Sequence, residues 1–138
     1  MFLRLNEYNV RTRPLFIATA VFEIGAGLAL MVSPALFASI LIGARFADAA
    51  DAVVGRVAGA ALLALALACW LARNDGHNSS ARGIVSGMLL YNAVVVVVLA
   101  YAGIAWGLSG IGLWPVVVLH TTMAVWCFAC LMRASTHT

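Results

Sequence analysis

The sequence predicts an all-α protein that crosses a membrane as a polytopic four-helix bundle. Hydrophobic residues make up 64% of the 138-residue chain, charged residues make up only 9%, and the mean hydropathy is +1.04. A soluble domain carries about 25% charged residues, so this composition indicates that the chain lies in a bilayer. Polar stretches divide the chain into four apolar segments of about 20 residues each, which is the length that a helix needs to span the hydrocarbon.

The first apolar segment runs from about residue 14 to residue 32. Pro14 suits the first turn of a helix, where its missing N–H would be unpaired anyway, and Ser33-Pro34 ends or kinks the helix. Residues 1–13 are polar and basic, and we expect either a short helix at the membrane surface or a polar leader. The apolar stretch 35–43 is too short to span and is expected to form a brief helix in the interface.

Three further segments complete the predicted bundle, at about 53–72, 83–102 and 113–132. A polar loop at 73–82 is rich in turn-forming residues, and a glycine-rich turn occupies 103–112. The valine run at 94–98 would suggest a strand in water. In lipid a helix is favoured, because a helix satisfies all its backbone groups within the segment. Residues 14–132 therefore form one transmembrane domain, which is followed by a short tail, 133–138.

The arginine distribution predicts the orientation of the bundle. All eight basic residues are arginine, and four spans place both termini on one side of the membrane. That side holds Arg4, Arg11, Arg13, Arg73, Arg82 and Arg133. Because cytoplasmic loops are enriched in basic residues, both termini and the central loop are predicted to be cytoplasmic. The net charge of +3 is too small and too scattered for a nucleic-acid partner, so the lipid bilayer is the expected partner.

Each span contains one strongly polar residue. Glu23, Asn92 and His120 fall near the middle of the membrane, and Arg56 lies about one turn inside the second span. An ionisable side chain at such a depth costs at least about 2.5–3.5 kcal/mol on insertion scales, so it needs a structural or functional reason. The helix face around Glu23 carries small or hydroxyl-bearing neighbours, which favours the bundle interior and predicts an ion pair between Glu23 and Arg56. Tyr91 completes the candidate polar network.

Two interpretations of this polar network remain open. In the first, the network is purely structural, and its hydrogen bonds hold the four helices in register. In the second, it is a polar pocket that binds the head of a lipophilic molecule, such as a quinone or a lipid, or that relays protons. Ionisable residues within a membrane are functional candidates by default.

Glycines at four-residue spacing predict where helix backbones approach each other. Gly55 and Gly59 have this spacing, as do Gly83 and Gly87, and Gly27 lies on the same helix face as the buried glutamate. Gly83 and Gly87 lie on the side of their helix away from its polar residue, so they pack within the bundle or against a second copy. We therefore expect a homo-oligomer or a larger membrane complex.

The three cysteines, Cys69, Cys127 and Cys130, are weak candidates for a metal or redox site. Cys127 and Cys130 form a CxxC toward the C-terminal end of the last span. A reactive thiolate is stabilised at a helix N-terminus or by nearby cations, whereas a helix C-terminus disfavours it. The cysteines are therefore expected to pack as small apolar residues.

One pattern resembles a known family. The run Glu23-Ile24-Gly25-Ala26-Gly27, followed by Ser33-Pro34 and then by Gly55-Arg56-Val57-Ala58-Gly59-Ala60-Ala61, is similar to the small bacterial four-helix membrane proteins of the DoxX-like kind. The similarity covers the first half of the chain best, and the second half matches only in hydropathy. Some members of the family are associated with membrane thiol or quinone redox systems, which would imply a quinone-binding or accessory redox role. No catalytic residues carry over.

The sequence thus favours a binding or accessory subunit of the bacterial inner membrane, without enzymatic chemistry of its own, that holds a quinone or a lipid at its buried polar site. The first alternative is an oligomeric transporter of a small solute, or a carrier coupled to protons. The second is a membrane thiol redox enzyme that uses the cysteines.

Overall fold

In a computed structural model, the chain is described over residues 2–44, 48–75 and 79–135, with side chains described for 12–44, 48–75 and 79–132. The described residues contain no β-strand. They form five helices: α1 Phe2–Val32, α2 Pro34–Ile42, α3 Ala49–Ala72, α4 Ser79–Ala105 and α5 Leu113–Ser135. The side chains of Arg4, Arg11, Arg45 and Arg133 and the residues 136–138 of the tail lie outside this description.

Helices α1, α3, α4 and α5 are long and apolar enough to cross a membrane. Large apolar side chains on their outer faces, such as Val57, Val97 and Val118, are more than half exposed. Such a surface suits lipid tails, which are as apolar as the side chains themselves. The prediction of an all-helical bundle with four candidate membrane spans is confirmed. The side of the membrane that the termini face stays a prediction.

Helix α1 begins well before the predicted boundary at residue 14. The helix runs from Phe2 through Pro14 without a break. Thr12 and Leu15, on either side of Pro14, are both buried, so the packing of α1 also continues past the proline. Pro14 removes only one backbone hydrogen bond from the ladder. The residues up to 13 are therefore part of a continuous helix rather than a separate segment.

The four long helices are arranged as two antiparallel pairs. Helix α1 packs along α3, and α4 packs along α5; α1 also contacts α5, whereas α3 and α4 touch only sparsely. The α1–α3 crossing is closest at two glycines. A Cβ atom added to Gly27 would lie 2.9 Å from the carbonyl oxygen of Gly59, and one added to Gly59 would lie 2.8 Å from that of Gly27. These two glycines thus set the register of the first pair.

The short helix α2 packs across the connection between α4 and α5. The backbone N–H of Gly112 donates to the carbonyl oxygen of Ile40 over 2.9 Å. Gly43 ends α2 in the left-handed conformation, with φ of +72°. Gly110 lies against the backbone of Leu41 so closely that no Cβ atom would fit. These contacts fix α2 over one end of the bundle.

Candidate functional site

Buried polar side chains lie near mid-height of the long helices. Glu23 and Asn92 are only 5% and 2% exposed. Each falls near the middle of its span, which is Thr12–Val32 for Glu23 and Ser79–Ala105 for Asn92. Both residues therefore lie at the depth where the sequence places them.

The carboxyl group of Glu23 is bonded to Tyr91. The phenolic hydroxyl of Tyr91 donates to Oε2 of Glu23 over 3.3 Å. Because Glu23 lies on α1 and Tyr91 on α4, this bond crosses the bundle interior from one helix pair to the other. Within the described residues it is the one hydrogen bond to this carboxyl group, so Oε1 is left unbonded.

His120 on α5 contacts Tyr91 and Asn92 and so adds to the contact between Glu23 and Tyr91. Its ring packs edge-on against the ring of Tyr91, with centroids 5.6 Å apart and an interplanar angle of 81°. Its Nδ1 lies 2.7 Å from Oδ1 of Asn92, whose Nδ2 in turn donates to the carbonyl oxygen of Met88 over 2.7 Å. The amide oxygen of Asn92 can only accept, so Nδ1 of His120 carries the proton in this bond. Nε2 has no hydrogen-bond partner among the described residues.

Three helices therefore contribute to one continuous polar path of Glu23, Tyr91, His120 and Asn92. A carboxyl group and an imidazole, each able to bind or release a proton, lie on either side of a phenol. The sequence pointed to all four residues and placed Glu23, Asn92 and His120 near the middle of the membrane. The bond between Glu23 and Tyr91 was not expected, because hydropathy does not indicate which helices face each other.

Arg56 does not belong to this path, and its predicted ion pair with Glu23 is wrong. Arg56 is exposed, and its Nε donates to the carbonyl oxygen of Met31 over 3.3 Å. Met31 lies eight residues beyond Glu23, which corresponds to about 12 Å along the helix axis. The crossing of Gly27 with Gly59 brings Arg56 to the last turn of α1. The carbonyl groups there have no partner within the helix.

The glycine pair of α4 faces outward. A Cβ atom added at Gly83 or at Gly87 would meet no atom within 4 Å. The expectation that these glycines pack within the bundle is therefore wrong, and a contact with a second copy stays a prediction. Gly55, by contrast, is buried on α3, one turn before Gly59.

The cysteines lie inside the apolar core. Cys69, Cys127 and Cys130 are buried, and the Sγ of Cys69 lies 3.6 Å from the Sδ of Met88. In the part of the chain that is described, no group of three or more His, Cys, Asp or Glu residues is placed to hold a metal ion. Such buried thiols act as small apolar side chains.

A groove separates α3 and α4 near their connecting loop. Its volume is about 300 Å³, and it is lined by Ala68, Leu71, Ala72, Asp75, Ser80, Ala81 and Ile84. Steps of one helical turn along α4 lead from Ile84 to Met88 and then to Tyr91, so the groove and the polar path share one face of α4. Met88 is fully buried and lies between the two. Met88 therefore separates the groove from the polar path, and the two lie about two turns apart along α4.

Thr19 is a buried polar residue that sequence reasoning left out of the candidate site. It is 2% exposed, and its hydroxyl has no hydrogen-bond partner among the described residues. It precedes Glu23 by four residues and therefore shares its helix face. That spacing was the signal that could have included it.

No protein-family model matches the chain, and neither a curated protein nor a solved structure matches it at a significant level. The resemblance to the DoxX-like proteins stays a prediction. The function is accordingly inferred from the geometry of the polar path and its surroundings.

Proposed function

We propose that the protein is a small membrane-embedded binding or accessory subunit that holds the polar end of a lipophilic ligand, a quinone or a lipid. The observation that carries this proposal is the continuous path of Glu23, Tyr91 and His120 near mid-height of the spans, with an unused polar atom at each end. Neither of these two atoms is fully buried, so a ligand can reach them. A network that only held the helices together would be expected to pair all of its polar atoms in hydrogen bonds.

The two unused atoms suit a head group that has a hydrogen-bond donor, as the reduced form of a quinone or a lipid with a hydroxyl group has. With its proton on Nδ1, a neutral His120 offers a lone pair at Nε2 to a donor. The carboxyl group of Glu23 accepts a hydrogen bond, and it also donates one when it is protonated. An aromatic head group would find the ring of Tyr91 beside it, and such ring pairs are favourable.

In this proposal the protein lies in the bacterial inner membrane, with the connection between α3 and α4 and both termini in the cytoplasm. Arg73 and Arg82 flank that connection, as cytoplasmic loops prefer. The guanidinium of Arg73 lies 4.2 Å from the centre of the Trp70 ring and donates to the Trp70 carbonyl oxygen. A tryptophan paired with an arginine in this way is typical of the membrane–water interface. Service to a membrane redox complex would be one use of a bound quinone.

A second candidate function is proton or small-solute transport by an oligomer. A carboxyl group, a phenol and an imidazole in contact form the kind of chain that relays protons through membranes. The outward face of Gly83 and Gly87 is free for a second copy to approach closely. Thiol redox chemistry is favoured less, because the three cysteines are buried in the apolar core.

Titration of decylubiquinol, a quinol whose hydroxyl groups can donate to Nε2 of His120, into the protein in lipid nanodiscs tests the proposed function. We expect saturable quenching of tryptophan fluorescence by the wild-type protein. His120→Phe and Glu23→Gln should weaken the affinity, by about tenfold where one strong hydrogen bond is lost. The matched control is Thr122→Val, because Thr122 is exposed and its hydroxyl bonds only to its own helix, at Val118.

The outcomes of this titration separate the two candidates. Unsaturable partitioning that is the same in all four proteins would overturn ligand binding. Proton flux into proteoliposomes that His120→Phe abolishes, with no saturable quenching, would favour the transporter. Each variant is first checked for a cooperative unfolding transition, so that misfolding is not mistaken for lost binding.

A further inference from the structure

Thr19 is a buried hydroxyl that its own helix does not use. Threonine in a helix commonly bonds to the carbonyl group four residues back. Thr121 does so to Val117 over 2.8 Å, and Thr122 does so to Val118 over 2.9 Å. Thr19 makes no such bond, although it is only 2% exposed. Since an unpaired buried hydroxyl is costly, this one calls for a partner that the described part of the chain does not supply.

The neighbour of Thr19 on the same buried face is Glu23. Residues four apart on a helix lie one turn apart on one side, with about 5–6 Å between their Cβ atoms. Glu23 uses Oε2 for its bond with Tyr91, and Oε1 is unbonded. The hydroxyl of Thr19 and the free oxygen of Glu23 are not bonded to each other. The hydroxyl of Thr19 and Oε1 of Glu23 are therefore neighbouring polar groups, one helical turn apart, that have no hydrogen bond among the described residues.

We propose that Thr19 and Glu23 together form a subsite for a hydroxyl group of the ligand, an inference that rests on the proposed function. A hydroxyl both donates and accepts, so it pairs with Thr19 and with Glu23 whether the carboxyl group is ionised or protonated. A ketone or an ether oxygen only accepts, and it cannot pair with an ionised carboxylate. The ligand class is therefore an amphiphile whose head carries a phenolic or alcoholic hydroxyl, such as a quinol or a lipid with a free hydroxyl.

A trapped water molecule has the same hydrogen-bonding chemistry, and ligand-free stability distinguishes it from a ligand hydroxyl. Thr19→Val removes the hydroxyl but keeps the shape of the side chain. If the subsite waits for a ligand, the ligand-free variant melts at or above the wild-type temperature, because an unpaired group has been removed. A clear fall in melting temperature would mean that the hydroxyl already has a partner without ligand, and it would overturn the proposal.

The second test of the subsite compares the binding of para-nonylphenol and of its methyl ether to the protein in nanodiscs. We expect the wild-type protein and Thr19→Ser to prefer the phenol over the ether. Thr19→Val should lose about threefold to tenfold in phenol affinity, as expected for one hydrogen bond. The control Thr122→Val should behave as the wild-type protein does.

Equal phenol affinity in the wild-type protein and in Thr19→Val would overturn the subsite. If decylubiquinol still binds saturably in that case, the proposed function survives and only the role of Thr19 is lost. If neither decylubiquinol nor the phenol binds to the wild-type protein, the proposed function fails together with the subsite.

Discussion

Tyr91 on α4 donates a hydrogen bond to Oε2 of Glu23 on α1, and this 3.3 Å contact joins the two helix pairs through the bundle interior. Helices α3 and α4 follow each other in the chain but touch only sparsely, so the pairs are held together mainly by α1 and α5 and by this bond. The candidate site therefore lies between the two helix pairs.

Removal of the Tyr91 hydroxyl should weaken the connection between the pairs. Tyr91→Phe keeps the ring and loses only the donor. We expect the free energy of unfolding to fall by about 1–2 kcal/mol, the range for a hydrogen bond to a carboxyl group. Unfolding by titration with SDS in mixed micelles measures this change. Tyr101→Phe is the control, because Tyr101 is 57% exposed and its ring contacts only Trp106 edge-on at 5.4 Å. Equal losses in both variants would contradict the prediction.

The contact between Asn92 and His120 should appear as a coupling between the two residues. In a double-mutant cycle with Asn92→Ala and His120→Ala, we expect an interaction energy of about 1 kcal/mol, because the side chains bond directly. A control cycle pairs Asn92→Ala with Thr121→Ala, since Thr121 is adjacent in sequence but bonds only to Val117. Strict additivity in the first cycle, measured by the same unfolding titration, would show that the 2.7 Å contact does not form.

The crossing of α1 and α3 should not tolerate added atoms. Gly27→Ala and Gly59→Ala each bring a methyl group within 2.9 Å of a backbone oxygen of the facing helix, and a backbone oxygen cannot move aside. We expect each substitution to cost about 1–3 kcal/mol, as overpacking does. Gly25→Ala is the matched control on the same helix, because a Cβ atom there meets nothing within 4 Å. The prediction fails if all three variants unfold alike.

Arg56 should contribute little to stability. It is exposed and makes one hydrogen bond, to Met31 at the end of α1. We expect Arg56→Ala to cost less than about 1 kcal/mol, whereas removal of one partner of a buried ion pair costs about 3–5 kcal/mol. Glu23→Gln should also be tolerated, because the amide oxygen still accepts from Tyr91. If Arg56→Ala lowers the free energy of unfolding by about 3 kcal/mol or more, this prediction is wrong and Arg56 does form a buried ion pair.

Hydropathy was sufficient to predict the four spans, because a bilayer admits few structures other than helices of about 20 apolar residues. The spans predicted to end at residues 32 and 72 end there as helices α1 and α3, and the one predicted to start at 113 starts there as α5. The start of α1 was missed because Pro14 resembles a first-turn proline. A hydropathy pattern does not show whether a helix continues on the N-terminal side of such a proline.

The pairing of polar groups was harder to predict because depth alone does not set it. Glu23, Asn92 and His120 were placed at similar depth from the sequence, and the structure connects them through Tyr91. The predicted pairing of Glu23 with Arg56 was wrong because the height of Arg56 relative to Glu23 depends on the register between α3 and α1. That register is set by the contact of Gly27 with Gly59. Small residues on two helices indicate a close crossing only when the partner helix is already known.

The central claim is that the path from Glu23 to His120 binds a lipophilic molecule rather than only holding helices together. Native mass spectrometry of the protein released from nanodiscs tests this most directly, with the double variant Tyr91→Phe/His120→Phe compared with the wild type. We expect a discrete added mass of a lipophilic molecule on the folded wild-type protein and its loss from the folded double variant. The same bound molecules at the same occupancy on both proteins, or none on either, would contradict it.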